Sequence, residues 1–378
     1  MENTVKGNSK FKKILYAIGN ALRNQTFLYI AKRLLSSLLT LFLLVVLVIT
    51  LIRLLPDGQF YSSGDYRLIA GKSGKEVAER WKTLQLYRYG IVDINGNRIS
   101  IFSSIFTYIY NILPFYKEIP IRWSTDYSRV LEYWKGFSYF GRSVIMNNEY
   151  VIDIFNERIG ISFAISIVSV VFTYLFAVPL GVAMAKKPGG IADKIGNVFI
   201  VLNYAIPAIV FYLIMNMVFG KKDGAFGWAN FGFFYDENSP LLTLFPPIFC
   251  MVFLSIPGVS IWVRRFMADE LSNDYVKFAR SKGLSERTIM YKHVFRNAVV
   301  PLVRNIPATL LGAIVGSYYV ETIWKIPGTG RLLVVGLQNL DIAIIEGLTL
   351  IYGAISMLSF LLGDIVTVFF DPRIKLED

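Results

Sequence analysis

The sequence predicts an all-α polytopic membrane protein with a small α+β insertion between its first two spans. Three observations predict it. Six apolar stretches reach the length needed to cross a bilayer, which is about 20 residues. Only 17% of the 378 residues are charged while 54% are hydrophobic, against roughly 25% and 45–50% in soluble domains. Lys and Arg gather at alternate ends of the apolar stretches, as cytoplasmic loops require.

The chain opens with a basic lead, residues 1–33, too long for the charged region of a signal peptide. Phe11, Ile14, Leu15 and Ile18 recur at helical spacing there. They predict an amphipathic helix lying on the cytoplasmic surface. The first span follows at 34–52, inside a segment 34–55. The others fall at about 161–184, 195–219, 241–263, 306–323 and 345–370. Lys32 and Arg33 precede the first span, Lys186 and Lys187 follow the second, Arg264 and Arg265 the fourth, and Arg373 and Lys375 the sixth. With those charges inside, both termini and the loop 264–300 are cytoplasmic.

The same topology puts residues 56–158 outside the cell, ahead of a transmembrane core over 159–378. Their charges nearly cancel, and long domains cross largely regardless of charge. Val77, Trp81 and Leu84 share one helical face in "GKEVAERWKTL". Asn95-Gly96 sits between alternating residues, a hairpin signal. "DYSRVLEYWKGF" reads as a second amphipathic helix. The dense aromatics serve either an internal core or a docking surface.

Catalytic patterns are missing. There is no phosphate-binding G-x-x-x-x-G-K-[ST], no H-E-x-x-H and no G-x-S-x-G. One histidine, His293, and one cysteine, Cys250, leave no metal cluster and no intramolecular disulfide. Cys250 lies in an apolar run and reads as a small buried hydrophobe. Glu321 and Glu346 fall near span ends, where water reaches, so no buried carboxylate relay is expected. Gly312 and Gly316 make a small-xxx-small face for helix packing.

The loop "DYVKFARSKGLSERTIMYKHVFRNAVVPL" carries the functional signal. A helix over about 269–282 stops at Gly283, and Ser285 caps a second helix with Glu286 in its first turn. The product is a basic elbow projecting from the membrane, suited to a groove on a partner. The competing reading is a loop resting on anionic headgroups.

These residues resemble the coupling loop of permease subunits of ABC importers, and specifically the oligopeptide/dipeptide/nickel branch. In that branch A-R-A-K-G-L-S and H-x-x-R-N-A recur; here "ARSKGLS" and "HVFRNAVVP" stand in order, with Lys277-Phe278 where the general motif has Glu-Ala. "LLPDG", "VPLGVAMAKKPG", "ETIWKIPGTGR" and "FFDPRI" resemble further branch motifs, with Asp57 and Gly58 reversed and Trp324 in place of Phe. The pattern is that of the first of two permeases, and the stretch from about 60 to 139 is left outside it.

The resemblance implies a type I importer fold with six spans in the plasma membrane. It implies a homologous second permease, two ABC ATPases that carry ATP and Mg, and a lipid-anchored or periplasmic substrate-binding protein, with no nucleic acid and no cofactor in this chain. It assigns ATPase coupling to Ala279, Arg280, Lys282, Gly283, Leu284, His293, Arg296 and Asn297 within 269–298. Gly283 would permit the bend, Ala279 a close approach, and Arg280, Lys282 and Arg296 charged contacts to the ATPase. Polar candidates for the translocation pathway are Asn203, Tyr204, Tyr212, Asn216, Asn305, Ser317, Tyr318 and Glu321. For each of them interhelical hydrogen bonding is the competing role, and Glu321 is expected to support the "KIPGTG" turn. Peptides are the expected cargo. Nickel is the alternative, disfavoured because the spans hold no histidine and one cysteine, the soft donors a nickel route would use. A stand-alone secondary carrier or channel would need inverted repeats or a buried acidic relay.

Overall fold

The structure, a computed structural model, describes residues 25–370 except 94, 125–127 and 230, with backbone alone for 25–30, 304 and 364–370. The N-terminal amphipathic segment over Phe11, Ile14, Leu15 and Ile18, and the basic Arg373 and Lys375, lie outside the described residues.

The first apolar run folds as α1, Gln25–Arg53. The hydroxyls of Thr40 and Thr50 donate to the carbonyls of Ser36 (2.9 Å) and Val46 (2.6 Å), which hides them from lipid. The insertion then builds α2 (Ser63–Ser73), α3 (Lys75–Arg88) and α4 (Ile101–Ile112), followed by β1 (Lys117–Trp123) and β2 (Val130–Gly136). Leu84 of α3 is buried as its spacing required. The Asn95-Gly96 turn forms a tight hairpin, bridged by Val92 and Arg98, with Gly96 at φ 85°.

The predicted second amphipathic helix is instead β2. Lys117 to Trp123 offer Val130 to Gly136 an antiparallel partner, and the β-branched and aromatic residues Val130, Tyr133 and Trp134 fit a pleated surface. Strand pairing is non-local, so helical spacing alone misread it.

Helix α5, Val151–Lys186, begins ten residues before the span read from the sequence. Its 36 residues extend about 54 Å at 1.5 Å each. The predicted third span is two helices, α6 (Ile191–Ala205) and α7 (Ala208–Gly220), bent by 92°. Pro207 causes the bend: it holds Ile206 in an extended conformation, at φ −91° and ψ 119°, and ends α6. Helix α8, Pro240–Leu271, lies along α5. Gly181 lets the two backbones meet, because a Cβ there would stand 2.6 Å from Val263 and 2.8 Å from the Ser260 carbonyl.

The chain then turns through α9 (Asp274–Ser281), α10 (Glu286–Thr288), a π-helical turn (Ile289–Val294) and α11 (Phe295–Ala298). The next crossing is segmented into α12 (Val300–Arg304), α13 (Ile306–Val315) and α14 (Tyr318–Ile323). Gly316, at φ 75°, ends α13. Gly312 therefore does not share a packing face with Gly316, and a Cβ on Gly312 would meet nothing within 4 Å. Among the described residues, Gly312 makes no such close contact. After α15 (Thr329–Gln338), α16 (Ile342–Phe370) completes the described chain. Among the described residues, five helices are long and apolar enough to cross a membrane, and the bent pair makes a sixth crossing if it counts as one span.

Two apolar clusters mark opposite ends of α5. Val151, Ile154 and Phe155 pack with Leu332, Ala343, Ile344 and Leu348 at its start, beside the insertion. Val182 and Ala185 pack with Val263, Met267 and the elbow residues Val276, Ala279, Ile289, Met290 and Val294 at its end. The insertion and the elbow therefore occupy opposite ends of the bundle. Between them, Cys250 is buried at 0% exposure with Ile165, Tyr212 and Trp324, the packing role its apolar surroundings gave it.

Candidate functional site

The elbow starts later than the sequence indicated. Asp269 to Leu271 still belong to α8, and the chain breaks at Ser272 before α9. At the far end of α9, Gly283 takes φ 71° and its N–H donates to the Arg280 carbonyl at 2.9 Å. That left-handed conformation is the usual glycine helix stop. Ser285 then caps α10: its Oγ accepts the Thr288 N–H at 3.3 Å. Arg280 closes the turn from the side, donating from Nε to Glu286 at 2.7 Å and from Nη2 at 3.3 Å. The guanidinium holds the Glu286 carboxyl below the usual carboxylate range.

One face of the elbow is fixed to the bundle. Val276, Ile289 and Val294 are fully buried among the ends of α5 and α8. Ala279 belongs to this inner face at 7% exposure and packs toward the bundle. Tyr275 donates to Glu270 at 2.6 Å. Burial first, and then that bond, push its phenol up to about 12.

The other face is open. Phe278, Tyr291 and Leu284 are 61%, 59% and 39% exposed, and Lys277, Lys282, Arg287, Lys292 and Arg296 are exposed as well. Lys282 lies over the Phe278 ring, 4.4 Å from its centroid. Of the sequence candidates, Lys282, Gly283, Leu284, Arg296 and Asn297 face outward, His293 is half-buried, and Arg280 is engaged within the elbow. Phe278 and Tyr291 were missed. Phe278 stands where the general loop motif has alanine, which drew attention to the departure and away from the side chain.

The base of the elbow is clamped. Arg264 of α8 donates from Nε and Nη2 to the two oxygens of Asp193 at 2.6 and 2.9 Å. Asp193 also accepts the Gly189 N–H at 2.8 Å and the Asn197 side chain at 3.1 Å. Arg264 is thus an interhelical tie and not only a topology marker.

Near the opposite end, Glu321 is a second node. It is 2% exposed, so water does not reach it as its position near a span end implied. Its carboxylate accepts the N–H of Ser317 and of Arg331, both at 3.0 Å. Ser162 of α5 donates its own hydroxyl to Glu321 and accepts the Thr329 N–H at 2.8 Å. Gly316 and Gly328 are obligatory here, since a Cβ on either would stand 2.2 or 2.3 Å from a Glu321 oxygen.

With this geometry in place, comparison with known proteins decides the family. Residues 177–376, more than half the chain, match the model of the binding-protein-dependent transport system inner membrane component. The chain belongs to that family. It is 37% identical over 214 residues to the oligopeptide transport system permease protein AmiC of Streptococcus pneumoniae serotype 4, covering 56% of this chain and 42% of AmiC. It is 30% identical over 237 residues to the dipeptide transport system permease protein DppB of Lactococcus lactis subsp. cremoris, covering 63% and 76%. This chain thus spans less than half the length of AmiC. An inward-facing structure of the MetNI methionine ABC transporter aligns over 58% of this chain and 96% of its own, at 17% identity and a TM-score of 0.44.

In this inner membrane component the predicted pathway residues separate. Asn203 is 4% exposed and donates to the Phe253 carbonyl at 3.1 Å, tying α6 to α8. Tyr212 is 8% exposed and meets Trp324 edge-on at 6.2 Å. These two and Glu321 are buried within the chain. Tyr204, Asn305 and Tyr318 are exposed, Ser317 is half-buried, and Asn216 donates to the Phe233 carbonyl at 2.7 Å.

Proposed function

We propose that this inner membrane component is the permease subunit of an ATP-driven importer of oligopeptides or dipeptides. It supplies half of the translocation route, and the elbow 274–298 couples it to an ATPase. The observation that carries this reading is the exposed side of the elbow: the apolar side chains Phe278, Leu284 and Tyr291 and the basic residues Lys277, Lys282, Arg287, Lys292 and Arg296, on an element fixed to the bundle by a buried inner face. Aromatic anchors within a polar rim are the usual anatomy of a protein docking site. The relatives' names, oligopeptide and dipeptide permeases, favour peptide over nickel as cargo.

In this reading a homologous permease completes the route. Two ATPase subunits bring ATP and Mg, and an extracytoplasmic binding protein delivers substrate. Both termini and the elbow lie in the cytoplasm, and the insertion faces outward. ATP-driven closure of the ATPases moves the elbow as a rigid lever. The Arg264–Asp193 clamp and the shared apolar cluster pass that motion to α5, α6 and α8. Tyr204, Asn216, Asn305, Ser317 and Tyr318 remain the polar side chains able to face the route. Gentle co-purification from native membranes tests the assembly. A second permease with two ATPase copies supports it. A lone chain that transports in liposomes without ATP overturns it.

A further inference from the structure

A second polar site lies at the end of the bundle away from the elbow, where α16 meets the insertion. Glu346, in the first turns of α16, faces a cavity of about 60 Å³ walled by Tyr89, Tyr108 and Asn111 and bounded by Arg88 and Arg142. The two arginines also line a wider open groove of about 460 Å³, to which Arg122 and Glu132 add their charges. Groove and cavity thus adjoin at Arg88, Ile121 and Arg142, and Glu346 lines the cavity alongside the two arginines.

Several polar groups at this junction have no counterpart. The Tyr108 hydroxyl and Arg53 Nε are buried and unpartnered among the described residues. Arg53 spends its other nitrogens on the carbonyls of Ile91, at 3.1 Å, and Gly90. It is near enough to act electrostatically on Glu346 without forming an ion pair. An unpaired carboxylate in a spanning helix is costly, and such residues mark sites.

The chemistry of the two compartments selects the ligand. A simple cation at Glu346 would sit behind the arginines. A simple anion at the arginines would leave Glu346 unpaired. A small zwitterion satisfies both: its ammonium takes Glu346 and the Tyr108 hydroxyl, and its carboxylate takes the guanidinium groups of Arg88 and Arg142. A cavity needs on the order of 10–15 Å³ per water-sized group, so the inner compartment holds an ammonium and its α-carbon, and the remainder extends into the groove. We propose that this cavity and groove bind an amino acid or short peptide by its two charged ends, at a fixed site apart from the translocation route.

The test is saturable binding of radiolabelled diglycine to the purified full chain in phosphatidylcholine nanodiscs, with N-acetyldiglycine as competitor. Binding in the millimolar range or tighter is expected, with little competition from the acetylated analogue. Glu346→Gln and Arg88→Gln should each weaken it about tenfold or more, as loss of a charge-assisted pair does. Tyr108→Phe, which keeps the fold's shape, should weaken it about threefold, as loss of one hydrogen bond does. No saturable binding to the wild-type chain overturns the proposal. So does equal affinity in the three variants, which would place the binding elsewhere. Loss of binding when the nanodiscs contain phosphatidylethanolamine would give the site to a lipid headgroup and also overturn it.

Discussion

Arg264 holds Asp193 through two parallel hydrogen bonds, 2.6 and 2.9 Å long, at the point where α8 leaves the bundle for the elbow. The carboxylate is nearly sealed from solvent at 4% side-chain exposure while the guanidinium keeps 34%. Such forked pairs fix orientation as well as distance. Asp193→Ala should therefore cost about 2 kcal/mol, in the range for hydrogen bonds to charged groups, and loosen the elbow's base. A thermal melt of the solubilised protein reads the loss. A double-mutant cycle with Arg264→Ala should return a coupling of similar size, and independent effects would remove the clamp from the account.

Gly283 gives a second prediction. Its φ of 71° is accessible to few residues other than glycine and asparagine, yet a Cβ there meets nothing within 4 Å. The requirement is conformational and not steric. Gly283→Asn should keep uptake near wild type, while Gly283→Pro, whose ring fixes φ near −65°, should uncouple ATP hydrolysis from uptake. Normal uptake in the proline variant would sink the lever.

The Glu321 node predicts strict size limits. Gly328→Ala places a methyl 2.3 Å from Glu321 Oε2 and 2.4 Å from Ser162 Oγ. The overpacking should cost about 1–3 kcal/mol. Glu321→Gln keeps the volume but turns one acceptor into a donor facing the N–H of Ser317 or Arg331. A buried donor left facing another donor should cost about 1–3 kcal/mol. Melting temperature and complex yield should fall in both variants, and an unchanged melt would show that the network is not structural.

At the elbow tip, Phe278→Ala and Tyr291→Ala should each weaken ATPase retention about thirtyfold, the equivalent of a 2 kcal/mol interface anchor. Lys292→Ala, at the rim, should change it little at physiological salt. Fluorescence titration of the detergent-solubilised protein with the proposed ATPase partner measures all three.

Much of this architecture is legible in the sequence because membrane crossing imposes a long apolar run on each helix. The elbow was legible because Gly283 and Ser285 are local signals whose geometry does not depend on distant packing. What escaped depends on long-range partners. β2 needed β1 to become a strand. The inward turn of Ala279 needed Val182 and Met267 across from it. Asp193 carries no local signal of its role, which comes from Arg264, 71 positions later. Asn203, Tyr212 and Glu321 carry polar groups that look available for a pathway, and only tertiary contacts reveal what satisfies them. The bend at Pro207 was readable in principle, since proline keeps the residue before it from helical geometry.

The most direct test of the central claim is a photo-crosslink from the elbow tip. A benzophenone side chain replaces Phe278 in the full chain in native membranes, and its adducts are identified by mass spectrometry with and without ATP. An adduct to an ATPase subunit is expected, with a yield that changes when ATP is added. Adducts to lipid alone, unchanged by ATP, would show that the elbow rests on the membrane surface and couples to nothing.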